Sequence, residues 1–212
     1  MKQERTLSIE GKEYTLLISD EPQALLEAKA SGRAVLGCLD TGNGEGASRD
    51  FQGIPYVVPS MEYVTEELLE LILRRYLGLP WLIDETERLY IREFVKEDAE
   101  NIPEEEYGKE EEIFRDPDKL EVYIKNQYGF YEYGTWAVLK KSPSLLIGMA
   151  GVSNPNLPET ALQALPTLPD DLCWLELGYH IFKPYRKNGY ATEAAKAILS
   201  YSCLLYTSPS PR

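Results

Sequence analysis

The chain has 212 residues, 43% of them hydrophobic, with a formal net charge of −13; it can bury one or two cores, and disorder of the whole is excluded. Its 35 acids against 22 lysines and arginines work against nucleic acid as a partner, because a phosphate backbone rewards clustered cations, and they favour small cationic partners. No apolar run is long enough to span a bilayer, no secretory leader follows Met1, and three scattered cysteines (Cys38, Cys173, Cys203) suit neither a disulfide framework nor a thiolate metal cage. The expectation is a protein of the reducing cytoplasm without metal or membrane segment.

Residues 5–82 read as alternating strands and helices. Tyr14-Thr15-Leu16-Leu17-Ile18 is a short apolar strand, and Pro22 suits the first turn of a helix carrying Leu25, Leu26 and Ala28, which Gly32 ends. A second strand, Ala34 to Leu39, leads to a glycine-rich loop, and Ile54 to Val58 follows as a third. Thr65 is a good N-cap for an amphipathic helix with Glu66 and Glu67 at the positive end of its dipole and Leu68, Leu69, Ile72 and Tyr76 on one face. Gly78 and Pro80 stop it, and Leu79-Pro80-Trp81 reads as a hinge. The order predicts a small parallel α/β module, a Rossmann-like half, over residues 1–82.

The loop Gly42-Asn43-Gly44-Glu45-Gly46-Ala47 loosely fits a dinucleotide fingerprint, but Ser48 to Gly53 does not continue as a helix, so a surface loop is the better reading. The segment Leu17 to Gly32 resembles the late strand–acid–helix element of haloacid dehalogenase-like hydrolases, in which an acid at Asp20's position helps to hold Mg²⁺. That chemistry also needs a nucleophilic aspartate in a paired-acid motif, and nothing before Asp20 supplies one. The resemblance implies the half-domain without its enzyme, a structural or docking module.

From Glu85 the pattern changes. Thr86 to Phe94 alternates as a half-buried strand does, and Val95-Lys96-Glu97-Asp98 opens a helix. Between Glu97 and Glu121 twelve acids face three lysines and arginines (Lys109, Arg115, Lys119), a composition natural for solvated helices. Thr135 to Leu139 and Leu145 to Val152 form an antiparallel hairpin, and after a proline-rich excursion Cys173 to Phe182 makes a long strand. That strand runs into Lys183-Pro184-Tyr185-Arg186-Lys187-Asn188-Gly189-Tyr190-Ala191-Thr192-Glu193 and an alanine-rich helix. Small residues there let a ligand approach the backbone, the first N–H groups of the helix point at whatever sits over its end, and a pyrophosphate fits.

At this junction the sequence resembles the GNAT N-acetyltransferase superfamily, within it the branch of the ribosomal-protein alanine acetyltransferases. Thr86 to Arg92 is similar to the family's first strand and Leu146-Ile147-Gly148-Met149-Ala150-Gly151 to its third. Leu175-Glu176-Leu177-Gly178-Tyr179 followed by Arg186-x-x-Gly189-Tyr190-Ala191-Thr192-Glu193-Ala194 is similar to its fourth strand and pyrophosphate loop. The resemblance covers about 115 residues in order, and it implies a mixed-sheet GNAT fold over residues 83–200 that uses acetyl-CoA as co-substrate. Backbone groups at Ile181 and Phe182 would pair with the pantetheine arm, and Arg186, Lys187, Asn188, Gly189, Tyr190, Ala191 and Thr192 would cradle the diphosphate.

Acetyl transfer to an amine needs a base, an oxyanion donor and an acid for the departing thiolate. Alternation puts Trp174, Glu176, His180 and Phe182 on one face of the strand, and Glu176 is the candidate base, a carboxylate set among apolar neighbours where its proton affinity should rise; the other reading is a buried structural acid. His180, about 13 Å farther along the strand, reads as structural. The family's usual thiolate acid is a tyrosine on a helix beyond the fifth strand, which this chain does not reach. After Ser200, Cys203 to Arg212 carries two prolines and no strand alternation and resembles translated adapter read-through, so 201–212 is expected to be a non-native tail on a domain lacking its last strands. The expected function is acetyl transfer from acetyl-CoA to a primary amine, such as a protein N-terminus or a small cationic amine. The alternative is a non-catalytic acyl-CoA-binding or regulatory protein.

Overall fold

The computed structural model describes residues 2–40, 50–104, 110–129, 133–162, 166 and 174–207, with the side chains of all but 40, 110, 111, 159, 162 and 203–207. The chain divides into two compact units, one over Met1–Leu79 and one over Pro80–Ser208.

In the first unit, β1 (Lys2–Ile9), β2 (Lys12–Ser19), β3 (Ala34–Asp40) and β4 (Val57–Ser60) form one sheet in that order. β2, β3 and β4 are parallel, but β1 is antiparallel to β2, which corrects the expectation of a purely parallel module. The hairpin turns at Glu10 and Gly11, both at positive φ, the conformation of the tight turn that matches strand twist. Helix α1 (Pro22–Ala30) packs Leu25 and Ala28 with Leu17 and Val35. Helix α2 (Glu66–Leu77) packs Leu69, Ile72 and Leu73 with Leu16, Ile18, Leu36 and Val58. Neighbours in sequence such as Leu17 and Ile18 enter different clusters, as the two-residue period of a strand requires. Tyr76, placed on the apolar face of α2 by its spacing, is 48% exposed and donates its hydroxyl to the Gly32 carbonyl. The glycine loop 42–47 lies outside the described residues.

In the second unit, β5 (Leu82–Glu85), β6 (Leu89–Arg92), β7 (Thr135–Lys140), β8 (Leu145–Ser153) and β9 (Glu176–Ile181) form an antiparallel sheet in chain order. Of the single strand expected over Thr86–Phe94 only Leu89–Arg92 forms, as β6; Thr86, whose N–H bonds the Leu89 carbonyl, belongs to the turn that joins β6 to β5. The helix expected after Val95 is a 3₁₀ turn over Lys96–Asn101. It is held by Asp98, whose carboxylate takes both guanidinium nitrogens of Arg92 at 2.7 and 2.9 Å and the Val95 N–H.

One face of this sheet presents Trp136, Val138, Ile147, Ala150 and Ile181 to Ala194, Ala197 and Ile198 of the last helix, α5 (Tyr190–Thr207). Ala137, Met149, Leu146 and Phe182 instead pack with Phe94, Phe114 and Leu120 of α3 (Pro117–Tyr123). A four-residue helix, α4 (Glu159–Leu162), lies between β8 and β9 in the chain. Helix α5 does not stop at Ser200 as expected. No proline interrupts it before Pro209, and the Tyr201 ring packs edge-on to Trp136 at 5.6 Å.

The approach of β9 to β8 depends on Gly148, which lies opposite Ile181. A Cβ at Gly148 would come within 2.4 Å of the His180 carbonyl oxygen and 2.9 Å of the Ile181 Cα; backbone on both sides leaves nothing that can yield cheaply. Gly148→Ala should therefore destabilise the unit by about 1–3 kcal/mol through overpacking. A denaturant titration would show this as a lowered midpoint, and a midpoint equal to that of the wild type would rule the close contact out.

Candidate functional site

β9 is the last strand in the order of its sheet, so one of its edges carries no partner strand among the described residues. Phe182 donates its N–H to the Ile147 carbonyl at 2.9 Å. Because antiparallel residues alternate between bonding a neighbour and facing away, Tyr179 and Ile181 turn their backbone groups to the open edge. The chain then makes a 3₁₀ turn over Lys183–Tyr185, passes through Arg186 in an extended conformation and reverses at Lys187 (φ 63°) and Gly189 (φ 80°). At Gly189 that conformation comes without the steric cost a side chain would bring.

The Gly189 carbonyl accepts the N–H of Glu193 at 3.1 Å, the first turn of α5. The N–H groups of Tyr190, Ala191 and Thr192 therefore have no partner within the helix. At two other helices the protein closes such ends with its own side chains: Thr65 accepts the Leu68 N–H at the start of α2, and Asp116 accepts those of Asp118 and Lys119 at the start of α3. Gly189 has no side chain with which to do so.

Positive charge borders these amides. Arg186 and Lys187 are exposed, and Arg186 Nε donates to the Ile181 carbonyl at 2.7 Å while its Nη2 lies 3.3 Å from His180 Nε2. A cavity of about 370 Å³ lies here, lined by Tyr179, His180, Ile181, Tyr185, Arg186, Lys187, Gly189, Tyr190, Ala191 and Thr192.

The fold thus brings together most of the residues expected from sequence at this site. Phe182 is an exception: it is 1% exposed, its N–H is spent on Ile147 and its carbonyl accepts Tyr185 N–H. Tyr179 holds the edge position next to Ile181, as the strand period implies. Asn188 contributes through the loop itself, its side-chain amide donating to the carbonyls of Tyr185 and Arg186. The burial expected of Glu176 is not found. It is exposed at the first position of β9, and Oε2 accepts the Asn156 N–H at 3.3 Å.

Two residues given no role from sequence stand behind the loop. The Glu193 carboxylate accepts the Thr86 hydroxyl at 2.6 Å, the Arg88 backbone N–H at 3.1 Å and Arg88 Nε at 2.7 Å. Arg88 Nη1 also donates to the Asn188 carbonyl at 3.0 Å, and the guanidinium lies 4.6 Å from the centre of the Tyr190 ring. Partial burial raises the proton affinity of Glu193, but the Thr86 hydroxyl and the Arg88 contacts together outweigh it and hold the carboxyl below the usual carboxylate range.

The acidic surface is partly neutralised from within. Lys96 bridges Asp118 and Glu121, and Lys119 reaches Glu112. Lys125 and then Lys96 bring Glu121 down to about 2. Among the described residues no group of three or more His, Cys, Asp or Glu could hold a metal ion, and no helix is long and apolar enough to cross a membrane.

A strand edge with spare backbone groups that feeds a glycine-started helix flanked by two cations suits an extended ligand ending in phosphate. The model of the acetyltransferase (GNAT) domain matches residues 88–205, more than half of the chain, and the protein belongs to this acetyltransferase family. Among solved structures it is similar to the acetyltransferase from Agrobacterium tumefaciens str. C58, at 18% identity over 59% of this chain and 69% of that one, with a TM-score of 0.36. It is also similar to a protein from Bordetella pertussis assigned to the GnaT acetyltransferase family, at 18% identity over 56% and 70%, with a TM-score of 0.40. A search of curated proteins gave no match.

The depressed Glu193 carboxyl sets a pH dependence. Its contribution to stability is complete above the unfolded value of 4.5 and is lost as the pH falls through the lower folded value. The gap in thermal midpoint between wild type and Glu193→Gln should therefore hold steady at neutral pH and close in acid. A gap that widened in acid would contradict the ion pair.

Proposed function

We propose that this protein binds acetyl-CoA at the corner between β9 and α5 and transfers the acetyl group to a primary amine. The diphosphate accepts from the amides of Tyr190, Ala191 and Thr192 and meets the charges of Arg186 and Lys187. The pantetheine arm lies along the open edge of β9 and pairs with the Ile181 N–H and the Tyr179 carbonyl, since the Ile181 carbonyl is already taken by Arg186. The observation that carries this reading is the uncapped start of α5, whose amides have no side-chain acceptor from Gly189. The acceptor is a protein N-terminal amine, of the kind used by the ribosomal-protein alanine branch, or a small cationic amine. A cytoplasmic setting agrees with the buried thiol of Cys38.

Glu176 is the candidate base, acting directly or through water on the incoming ammonium. Its exposure favours a second reading, in which the protein binds acyl-CoA without turning it over.

Isothermal calorimetry with acetyl-CoA tests the site. Gly189→Val, which forces a side chain into a left-handed corner, and Arg186→Ala should each weaken binding about tenfold or more, equivalent to about 1.4 kcal/mol. Unchanged affinity in both would overturn the diphosphate assignment. Release of free thiol from acetyl-CoA in the presence of primary amines tests the transfer. Glu176→Gln should slow that release about 100-fold or more, the usual scale of general-base catalysis, at unchanged acetyl-CoA affinity. Absence of release with every amine would leave the binding-only reading.

A further inference from the structure

A carboxylate on the first turn of α5 is a poor neighbour for an anionic ligand seated on the same turn. Glu193 is that carboxylate: the Gly189 carbonyl accepts its N–H, so it lies one helical turn from the loop. It is also the one acid in the first turn. A second electronegative group, the Asn188 carbonyl, sits in the loop beside Gly189. Both are bound by one side chain, Arg88, which enters from the chain segment just before β6. It donates to Glu193 through Nε and to Asn188 through Nη1, and its guanidinium lies over the Tyr190 ring. A Cβ at Gly189 would come within 3.5 Å of Nη2, so the guanidinium also underlies the corner itself.

Resting on the coenzyme site proposed above, we infer that Arg88 is a positioning residue for the diphosphate: it neutralises Glu193 and holds the Asn188 carbonyl so that the amides of the corner stay open to the anion. Arg88 does this from behind the loop, without being among the residues that line the cavity. The planar fork of arginine is needed, because one side chain meets a carboxylate, a carbonyl and an aromatic face at once, and lysine offers only a point charge. The inference has a charge consequence. Removing Arg88 leaves Glu193 as an uncompensated anion beside the ligand, so removing the Glu193 charge as well should restore part of the lost affinity.

The experiment measures dissociation constants by calorimetry for coenzyme A and for S-acetylpantetheine, which lacks the diphosphate, on the full chain. Arg88→Ala should weaken coenzyme A binding about tenfold, the scale of losing one partner of a charge pair, and leave S-acetylpantetheine within about twofold. The double variant Arg88→Ala/Glu193→Gln should bind coenzyme A more tightly than Arg88→Ala alone. Arg88→Lys, which keeps the charge and gives a variant less prone to misfold, should show a smaller loss confined to coenzyme A. Equal losses for both ligands would reveal a merely structural side chain and overturn the inference, as would wild-type affinity in Arg88→Ala or a double variant no better than the single one. A wild-type chain that binds no coenzyme A would overturn the proposed function first, and the inference with it.

Discussion

An α-helix begins with backbone N–H groups that its own hydrogen-bond ladder cannot use, and the rest of this protein's site is arranged around three of them. At most helix starts a side-chain oxygen takes one or two of these donors, as Thr65 and Asp116 do here. At α5 the residue in that place is Gly189, and the preceding reversal at Lys187 sends the chain in from β9 at an angle that leaves the amides facing out. The edge of β9 that carries no partner strand among the described residues lies next to them in the chain, with the Ile181 carbonyl on it held by Arg186. A ligand that is extended at one end and anionic at the other can satisfy both, whereas water would satisfy either without preference.

The reason this corner was legible from sequence is that its information is local. A strand, a small-residue turn with two cations and an alanine-rich helix lie within about twenty consecutive residues, each with its own signal. Helix α2 was legible for the same reason, through a cap, acidic first-turn residues and a left-handed glycine stop at Gly78. What failed to show were features decided by partners. β1 is a mostly exposed run of lysine, glutamate, arginine and serine whose strand character comes from pairing with β2. Glu176 has the alternation of a strand residue, but whether its face is covered depends on what packs there from elsewhere in the chain. The tie from Arg88 to Glu193 crosses 105 positions, a distance over which periodicity carries nothing.

The helix end near Ser200 teaches a related point. The two prolines and missing strand alternation of Cys203 to Arg212 predict a break after Ser200. Tyr201, which follows, is compatible with helical geometry and packs against Trp136 of the sheet, so tertiary contact extends the element beyond its most obvious sequence signal.

The charge of the whole molecule poses a problem that the site resolves at short range. A chain of net charge −13 should repel a ligand whose recognition depends on phosphate. The acids of the α3 region are, however, shared with Lys96, Lys119 and Lys125, and at physiological ionic strength the screening length is about 8 Å, which weights the nearest charges most. What counts is the charge within a few ångströms of the amides. There the balance is Arg186 and Lys187 on the open side, and Glu193 matched by Arg88 on the closed side. A coenzyme seated as proposed meets this locally positive surface.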